Sequence, residues 1–318
     1  MRLLPGQYAS YDAPSTEWIA RYAGVAPEDV VRYDGNTSAR PLPSATAENL
    51  LGELARIHTY PHGGYPRIAE AIADYAGVSP ENVVLGAGAD DVILLVVRSF
   101  AGRGDRVAIA NEPTYPLFQI AVSLAGAEVA DDHPALTICC RPNNPTGELG
   151  ELPDARPVLV DEAYFEYSGV TAVDLLEDDV IVVRTFSKAF ALAGARVGYA
   201  LAGRDVAEEL NRRQAPAPVS TLSVALALAA LEEPPDVRPV IEERDRLADE
   251  LRRIGLDPLP SHGNFLYIPF AGAEEVADRL LRQGLAVRRL PGAIRITIRD
   301  EADDDRLVAA LSALYSAR

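Results

Sequence analysis

The sequence predicts an α/β protein, with a large domain built on a mostly parallel sheet and a smaller α+β domain. Short β-branched apolar runs alternate with helical patterns between residues 83 and 202, which is typical of strands buried between helices. Polar or glycine-containing segments follow five of these runs, and ligands of open α/β sheets bind beyond the carboxyl ends of strands. After about residue 215 the pattern changes to longer helices and short strands, which indicates a second domain.

The apolar runs give the elements in order. Strands are predicted at residues 83–85, 107–109, 136–138, 158–160 and 180–183. Helical patterns cover residues 91–100 and 116–124. In the second domain, helices are predicted near residues 221–231 and 240–254, and strands at residues 264–269 and 293–298. We therefore predict a large domain over residues 31–215 and a small domain formed by residues 1–30 and 216–318.

The composition excludes several classes of function. The 318 residues carry a formal charge of −17, so nucleic acid and anionic membrane surfaces are poor partners, whereas small molecules remain good ones. No run of about 18 apolar residues exists, and residues 1–10 lack an apolar signal core, so we expect a cytoplasmic protein. Cys139 and Cys140 are adjacent and should be small buried residues of a strand, and the four histidines lack the spacing of a metal site.

Lysine is nearly absent from this sequence. The 30 basic residues comprise 29 arginines and one lysine, Lys188. Arginine cannot replace lysine where a neutral amine acts as a nucleophile, because guanidinium stays protonated. A lysine that survived by chance is the alternative, and the residues around Lys188 decide between the two.

Several strand-end residues could bind a phosphate group. Small residues from Gly86 to Ala89 precede a helix and expose backbone N–H groups that can hold a phosphate. A dinucleotide site is the alternative, but the pattern G-x-G-x-x-D lacks the third small residue of that fingerprint. Ser187 and Arg196 flank Lys188 and could bind the same dianion, with arginine making a forked contact.

Two other strand-end residues could hold a planar ring. Asp161 could pair with a cationic ring nitrogen, and otherwise caps the next turn. Tyr115 could stack on the ring, and otherwise is an ordinary half-buried aromatic residue. A phosphate cup, a partner for a ring nitrogen, a stacking ring and a single amine together describe a site for pyridoxal 5'-phosphate (PLP).

Three segments resemble a known family: residues 141–147 (Arg-Pro-Asn-Asn-Pro-Thr-Gly), 161–164 (Asp-Glu-Ala-Tyr) and 185–196 (Thr-Phe-Ser-Lys-Ala-Phe-Ala-Leu-Ala-Gly-Ala-Arg). They closely resemble the class I and II aminotransferases, whose fold is the PLP-dependent transferase fold of type I. Within these, they look most like the histidinol-phosphate aminotransferase family. The resemblance runs from about Val31 to the C-terminus and is specific for the superfamily, but much less so for the substrate.

The resemblance implies catalytic and ring-binding roles. Lys188 would form the Schiff base with PLP, and Asp161 would pair with the pyridinium nitrogen. Asn144 and Tyr164 would hydrogen-bond the ring hydroxyl, and Tyr115 would stack on the ring.

The resemblance also implies phosphate-binding and substrate-binding residues. The cofactor phosphate would be held by Ala89, Asp90, Ser187 and Arg196, together with Tyr60 from the second subunit of a homodimer. The acidic group of the substrate would bind Arg295, and Arg288 matches a second arginine that family members use near the substrate.

The chain departs from the family pattern in two ways. An Asn-Glu-Asn-Pro-type segment is replaced by Gly-Asn-Thr-Ser-Ala-Arg-Pro at residues 35–41, close to where the family binds its substrate. The stretches 126–139 and 147–161 are short, so we expect a trimmed large domain that keeps the catalytic strand ends.

The predicted reaction is amino-group transfer from an amino acid or amino-phosphate donor to a 2-oxo acid, in amino-acid biosynthesis. A PLP-dependent lyase, such as an enzyme like threonine-phosphate decarboxylase, shares these motifs and is the first alternative. A PLP-binding module without turnover is the second, and the presence of Lys188, Asp161 and Tyr164 together argues against it.

Overall fold

The computed structural model describes residues 13–39, 50, 52–61 and 64–315. The first elements in chain order are α1 (Thr16–Ala23), β1 (Val31–Arg32), α2 (Pro66–Ala76), β2 (Val83–Gly86), α3 (Ala89–Phe100), β3 (Arg106–Ile109), α4 (Leu117–Ala125), β4 (Glu128–Val129), β5 (Leu136–Cys140), β6 (Val158–Asp161) and α5 (Phe165–Ser168). They are followed by β7 (Val180–Thr185), β8 (Gly198–Leu201), α6 (Arg204–Arg213), α7 (Thr221–Glu232), α8 (Arg238–Arg253), β9 (Phe265–Pro269), α9 (Ala273–Leu281), β10 (Leu285–Ala286), β11 (Arg288–Leu290), β12 (Ala293–Thr297) and α10 (Glu301–Tyr315).

A seven-stranded sheet forms the centre of the fold, in the order β2-β8-β7-β6-β5-β3-β4. Only β8 runs against its neighbours, and the remaining pairs are parallel. The carboxyl ends of β3, β5, β6 and β7 therefore lie along one edge of the sheet. This confirms the predicted mostly parallel sheet and the five predicted strands in it.

Helices cover both faces of this sheet. Ile138 and Cys140 pack against α3 and α4, whereas Cys139 packs against α2 on the opposite face. Because both faces are covered, every residue of β5, β6 and β7 is buried, which explains the continuous apolar runs in the sequence. The two cysteines are free and buried, as predicted.

A three-stranded antiparallel sheet, β11-β12-β9, forms a second core. The helices α8, α9 and α10 supply Leu247, Leu280 and Leu307 to it. The short strand β1 pairs with β10, so Val31 and Tyr33 belong to the same core.

The predicted division into residues 31–215, and residues 1–30 with 216–318, stays a prediction. Two packing relations bear on its boundaries. Residues 31–33 pack with the three-stranded sheet, and α7 places Ala227 in a core of the seven-stranded sheet. Residues 1–12 of the predicted small domain, and Arg40 and Pro41 of the divergent segment, lie outside the described residues.

The connection from Gly147 to β6 contains no helix, in agreement with the short excursion predicted there. Within the described part of the chain, no helix has the length and apolar character that crossing a membrane requires.

Candidate active site

A cavity of about 660 Å³ lies at the carboxyl ends of the parallel strands and is closed on one side by the three-stranded sheet. The predicted site residues that line it are Ala89, Asp90, Tyr115, Asn144, Asp161, Tyr164, Ser187, Lys188, Arg196, Arg288 and Arg295. Tyr60 is the exception, since it does not line the cavity of its own chain and its side chain is 79% exposed.

Lys188 lies in the turn that follows β7, with its amine in the cavity. Its Nζ donates a hydrogen bond to the backbone oxygen of Gly35 at 3.3 Å. Burial, and then the positive charge of Arg295, lowers the pKa of Lys188 to about 8. A substantial fraction of this amine is therefore neutral near physiological pH.

Asp161 ends β6 and is 3% exposed. Its Oδ1 accepts a hydrogen bond from the backbone N–H of Ala163 at 3.0 Å, and the thiol of Cys140 lies 3.8 Å from Oδ2. Burial is the main cause that raises the pKa of Asp161 to about 7. Within the described residues this carboxyl group has no ion-pair partner, so a cationic ring nitrogen in the cavity would supply its missing counter-charge.

The start of α3 forms an anion site with Arg196. Gly88 has φ +92°, a conformation that glycine adopts without strain, and α3 begins at the next residue with unsatisfied backbone N–H groups. A Cβ on Gly88 would lie 2.6 Å from Nη2 of Arg196, so the guanidinium closes directly over this turn. Asp90 pairs with Arg196 at 3.1 Å through its side chain, which leaves its backbone N–H as the group suited to a phosphate.

The turn before Lys188 holds Ser187 in the cavity that Arg196 also lines. The hydroxyl of Thr185 accepts a hydrogen bond from the backbone N–H of Ser187 at 3.1 Å and lies 2.9 Å from its Oγ. Arg196, Ser187 and the amides of α3 have the chemistry that suits a phosphate dianion, and their binding of the cofactor phosphate stays a prediction.

The side chains of Asn144 and Tyr164 each accept one hydrogen bond from within the protein. Oδ1 of Asn144 accepts a hydrogen bond from Nη1 of Arg295 at 2.5 Å, and the phenol oxygen of Tyr164 accepts one from Nδ2 of Asn36 at 3.0 Å. Each residue therefore keeps a donor for a ring oxygen: the amide N–H of Asn144 and the phenol O–H of Tyr164.

Tyr115 donates a hydrogen bond to Oδ1 of Asp90 at 3.1 Å. This bond fixes the phenol at the cavity wall next to the start of α3. A flat ring in the cavity would have this aromatic face available for stacking.

Arg288 and Arg295 lie directly opposite each other on β11 and β12. Directly opposite residues of antiparallel strands share one face, and both arginines line the cavity. Arg289, the next residue on β11, is instead exposed and pairs with Asp278 at 3.0 Å. Two guanidinium groups from the second core therefore face the cavity.

A buried ion pair joins the two strands that carry the central residues. Glu162 follows Asp161, and its Oε2 accepts hydrogen bonds from Nε and Nη2 of Arg184, both at 3.0 Å. The two side chains are 1% and 2% exposed. Thr171 bonds both partners, and the Arg184 guanidinium lies 3.6 Å from the ring centre of Phe165.

Sequence reasoning missed Asn36, Thr297 and the Glu162–Arg184 pair. Asn36 belongs to the divergent segment 35–41, but no local sequence pattern shows which residue Asn36 contacts. Glu162 lies within the recognised motif 161–164, and Arg184 directly precedes the motif 185–196. A charged residue within a buried apolar strand is the signal that could have found Arg184.

Comparisons with known proteins agree with this geometry. The family model described as "Aminotransferase class I and II" matches residues 30–135 and 130–311. The chain belongs to the class I and II aminotransferases. It is a PLP-dependent aminotransferase of the fold that the sequence predicted.

Individual relatives fall within the same family. The chain is 34% identical to a histidinol-phosphate aminotransferase of Caldanaerobacter subterraneus, over 90% of this chain and 93% of the relative. The crystal structure of a histidinol-phosphate aminotransferase from Sinorhizobium meliloti, in complex with PLP, has a TM-score of 0.86 at 25% identity and covers 97% of this chain and 96% of that one. The L-threonine-O-3-phosphate decarboxylase of Porphyromonas gingivalis shares the fold, with a TM-score of 0.81 at 19% identity, 90% of this chain and all of the other.

We expect Gly198→Ala to weaken PLP binding. A Cβ at this position would lie 2.3 Å from the backbone nitrogen of Ala89, so β8 would push the start of α3 out of place. Loss of one or two charge-assisted hydrogen bonds should weaken binding about tenfold or more. The measurement is the PLP dissociation constant, followed by absorbance.

Gly194→Ala is the matched control for this prediction, because a Cβ there meets no atom within 4 Å. Equal PLP affinities of the Gly198→Ala and Gly194→Ala variants would contradict a phosphate site at the start of α3.

Proposed function

We propose that this aminotransferase acts on a phosphorylated amine of the histidinol-phosphate type and passes the amino group to a 2-oxo acid. The observation that carries the substrate class is the pair Arg288 and Arg295 on one face of the cavity. A phosphate monoester has a charge near −2 at neutral pH and suits two guanidinium groups better than a single carboxylate does. The relatives named histidinol-phosphate aminotransferase support this choice.

The residues that line the cavity fit PLP, and we assign them the roles that the sequence suggested. Its phosphate would be held by the amides of Ala89 and Asp90 with Ser187 and Arg196, and its ring by Tyr115, Asn144, Asp161 and Tyr164. When bound, PLP supplies an electron sink that stabilises negative charge on the substrate carbon.

Lys188 provides the amine and moves the proton. Its lowered pKa of about 8 leaves neutral amine available at physiological pH, and neutral Nζ can take a proton from a substrate carbon and return it. Asp161, as a carboxylate beside a cationic ring nitrogen, keeps that nitrogen protonated. Both groups are buried, so charges on them interact more strongly with a bound cofactor than they would in water.

A lyase is the weaker alternative. The likeness to the threonine-phosphate decarboxylase rests on 19% identity and shows the fold alone, whereas the relatives above 30% identity are named as aminotransferases. A location in the cytoplasm and a role in amino-acid biosynthesis belong to the same proposal and rest on the composition and on the relatives' names.

The substrate assignment is tested by comparing histidinol phosphate with histidinol in the amino-donor half-reaction, followed by cofactor absorbance. Arg288→Ala and Arg295→Ala should each slow the reaction of histidinol phosphate about 10- to 100-fold, because each removes a charge-assisted contact. Arg288→Ala should affect histidinol far less, whereas Arg295→Ala also removes the donor to Asn144 and should slow both substrates. Arg289→Ala is the matched control, since its side chain pairs with Asp278 outside the cavity.

Equal wild-type rates with histidinol phosphate and histidinol would refute the phosphate assignment. Release of carbon dioxide from threonine phosphate, with no keto product from any amine, would establish the lyase instead.

The single lysine gives a direct test of the catalytic amine. Borohydride treatment of the PLP-loaded protein should attach the cofactor to Lys188, the one ε-amine of the chain. A lysine-specific protease should then cut the untreated denatured chain once and leave the reduced chain intact. Cleavage of the reduced chain at Lys188, with the cofactor elsewhere, would remove Lys188 from the mechanism.

The homodimer with shared sites is also part of the proposal. Tyr60 is exposed, and α7 is a helix without a polar face on which only Ala227 is fully buried, so a second copy would cover apolar surface there.

We expect the protein to sediment as a dimer. We also expect activity to be restored when Tyr60→Ala and Lys188→Ala chains are refolded together. Half of the pairs would be mixed, and each mixed pair would hold one complete site, giving about a quarter of the wild-type activity. A monomer, or mixed chains no more active than the two variants alone, would contradict sharing through Tyr60.

A further inference from the structure

The described part of the divergent segment, residues 35–39, includes a buried side chain, Asn36, to which the proposed function assigns no role. Asn36 is 1% exposed and has φ +51°, a left-handed conformation that asparagine tolerates better than most residues. Its side chain lines the same cavity as Lys188 and Tyr164. A strained, buried polar residue at a cavity wall suggests a constraint from function.

Asn36 is held from the side of the second core. Its backbone N–H donates to Oγ1 of Thr297 at 2.9 Å, and its backbone oxygen accepts from Nδ2 of Asn264 at 3.2 Å. The Thr297 hydroxyl also reaches Oδ1 of Asn36 at 3.1 Å and the backbone oxygen of Tyr33 at 2.7 Å. A hydroxyl has one proton, and the shorter contact assigns that of Thr297 to Tyr33, so Thr297 holds the backbone of Asn36 through the N–H that it accepts. The side-chain N–H of Asn36 points away from β12.

That N–H donates to the phenol oxygen of Tyr164 at 3.0 Å. Burial raises the pKa of Tyr164, so the phenol keeps its own proton. Since the phenol oxygen already accepts from Asn36, the O–H is directed elsewhere, and the cavity lies on its open side.

We propose that Asn36 is a positioning residue, held by Thr297, that makes the hydroxyl of Tyr164 a hydrogen-bond donor into the cofactor cavity. Because Thr297 lies on β12, the contacts of Asn36 connect this strand, which also carries Arg295, to Tyr164 on the ring-binding side of the cavity. This inference rests on the proposed role of Tyr164 towards the PLP ring, and it does not depend on the identity of the substrate.

The test exploits the direction of the bond. Asn36→Asp is nearly isosteric and keeps the tolerance for a left-handed backbone, but its carboxylate can only accept, so the Tyr164 O–H would turn towards it and away from the cavity. PLP should bind about tenfold more weakly, as expected on loss of a hydrogen bond to a charged group.

The new carboxylate also adds a charge, so Asn36→Asp is measured again in the Tyr164→Phe background. The charge acts in both backgrounds and cancels in the double-mutant cycle. We expect a coupling of about tenfold in PLP affinity between the two positions, with a matching change in the absorption spectrum of the bound cofactor only where Tyr164 is present.

A second pair of variants tests the support from β12. Thr297→Val removes the hydroxyl that accepts the backbone N–H of Asn36 and should weaken PLP binding several-fold, whereas Thr297→Ser keeps that hydroxyl and should restore affinity to within about twofold of wild type. For Asn36→Asp the matched control is Asn82→Asp, because Nδ2 of Asn82 donates to the backbone oxygen of Ala202 at 2.8 Å and lies outside the cavity.

Equal losses from Asn36→Asp in both backgrounds, or unchanged PLP affinity, would overturn the proposal. So would a Thr297→Ser variant as impaired as Thr297→Val. PLP titration involves no amino substrate, so an incorrect substrate assignment would leave all of these outcomes unchanged.

Discussion

The ion pair between Glu162 and Arg184 is the interaction on which the site depends most. It bridges β6 and β7 immediately beside the two strand ends that carry Asp161 and the turn to Lys188. With both side chains buried, removing one partner would strand the other as an isolated charge, at a cost of about 3–5 kcal/mol. Thr171 hydrogen-bonds both partners, and the ring of Phe165 lies against the guanidinium. The pair is therefore held in one geometry and fixes the relative positions of the strand ends that carry Asp161 and Lys188.

Burial also shifts the pKa values of the two central titratable groups, Asp161 and Lys188. It raises the pKa of Asp161 to about 7 and lowers the pKa of Lys188 to about 8, because burial disfavours the charged form of each group. A bound group with a cationic ring nitrogen and an anionic phosphate would relieve the penalty at Asp161 and bind Arg196 at the anion site. The cavity is therefore more favourable for a zwitterionic cofactor than for water or a simple salt.

Much of this could be predicted from the sequence, because a parallel sheet converts sequence order into spatial proximity. Segments that follow β3, β5, β6 and β7 must meet at one edge, and so Tyr115, Asn144, Asp161 and Lys188 share a cavity. Contacts set by the packing of the two cores follow no such rule. Asn36 meets Tyr164 across 128 positions and Thr297 across 261, and neither spacing leaves a periodic pattern in the chain.

The location of Lys188 in the cavity has a consequence for the chemical ageing of the protein. Reducing sugars and acyl donors modify proteins mainly at amines, and this chain offers them one ε-amine among 318 residues. The remaining basic side chains are guanidinium groups, which stay protonated and react poorly as nucleophiles. Glycation and acylation of lysine are therefore confined to Lys188, which a bound cofactor covers in the active site.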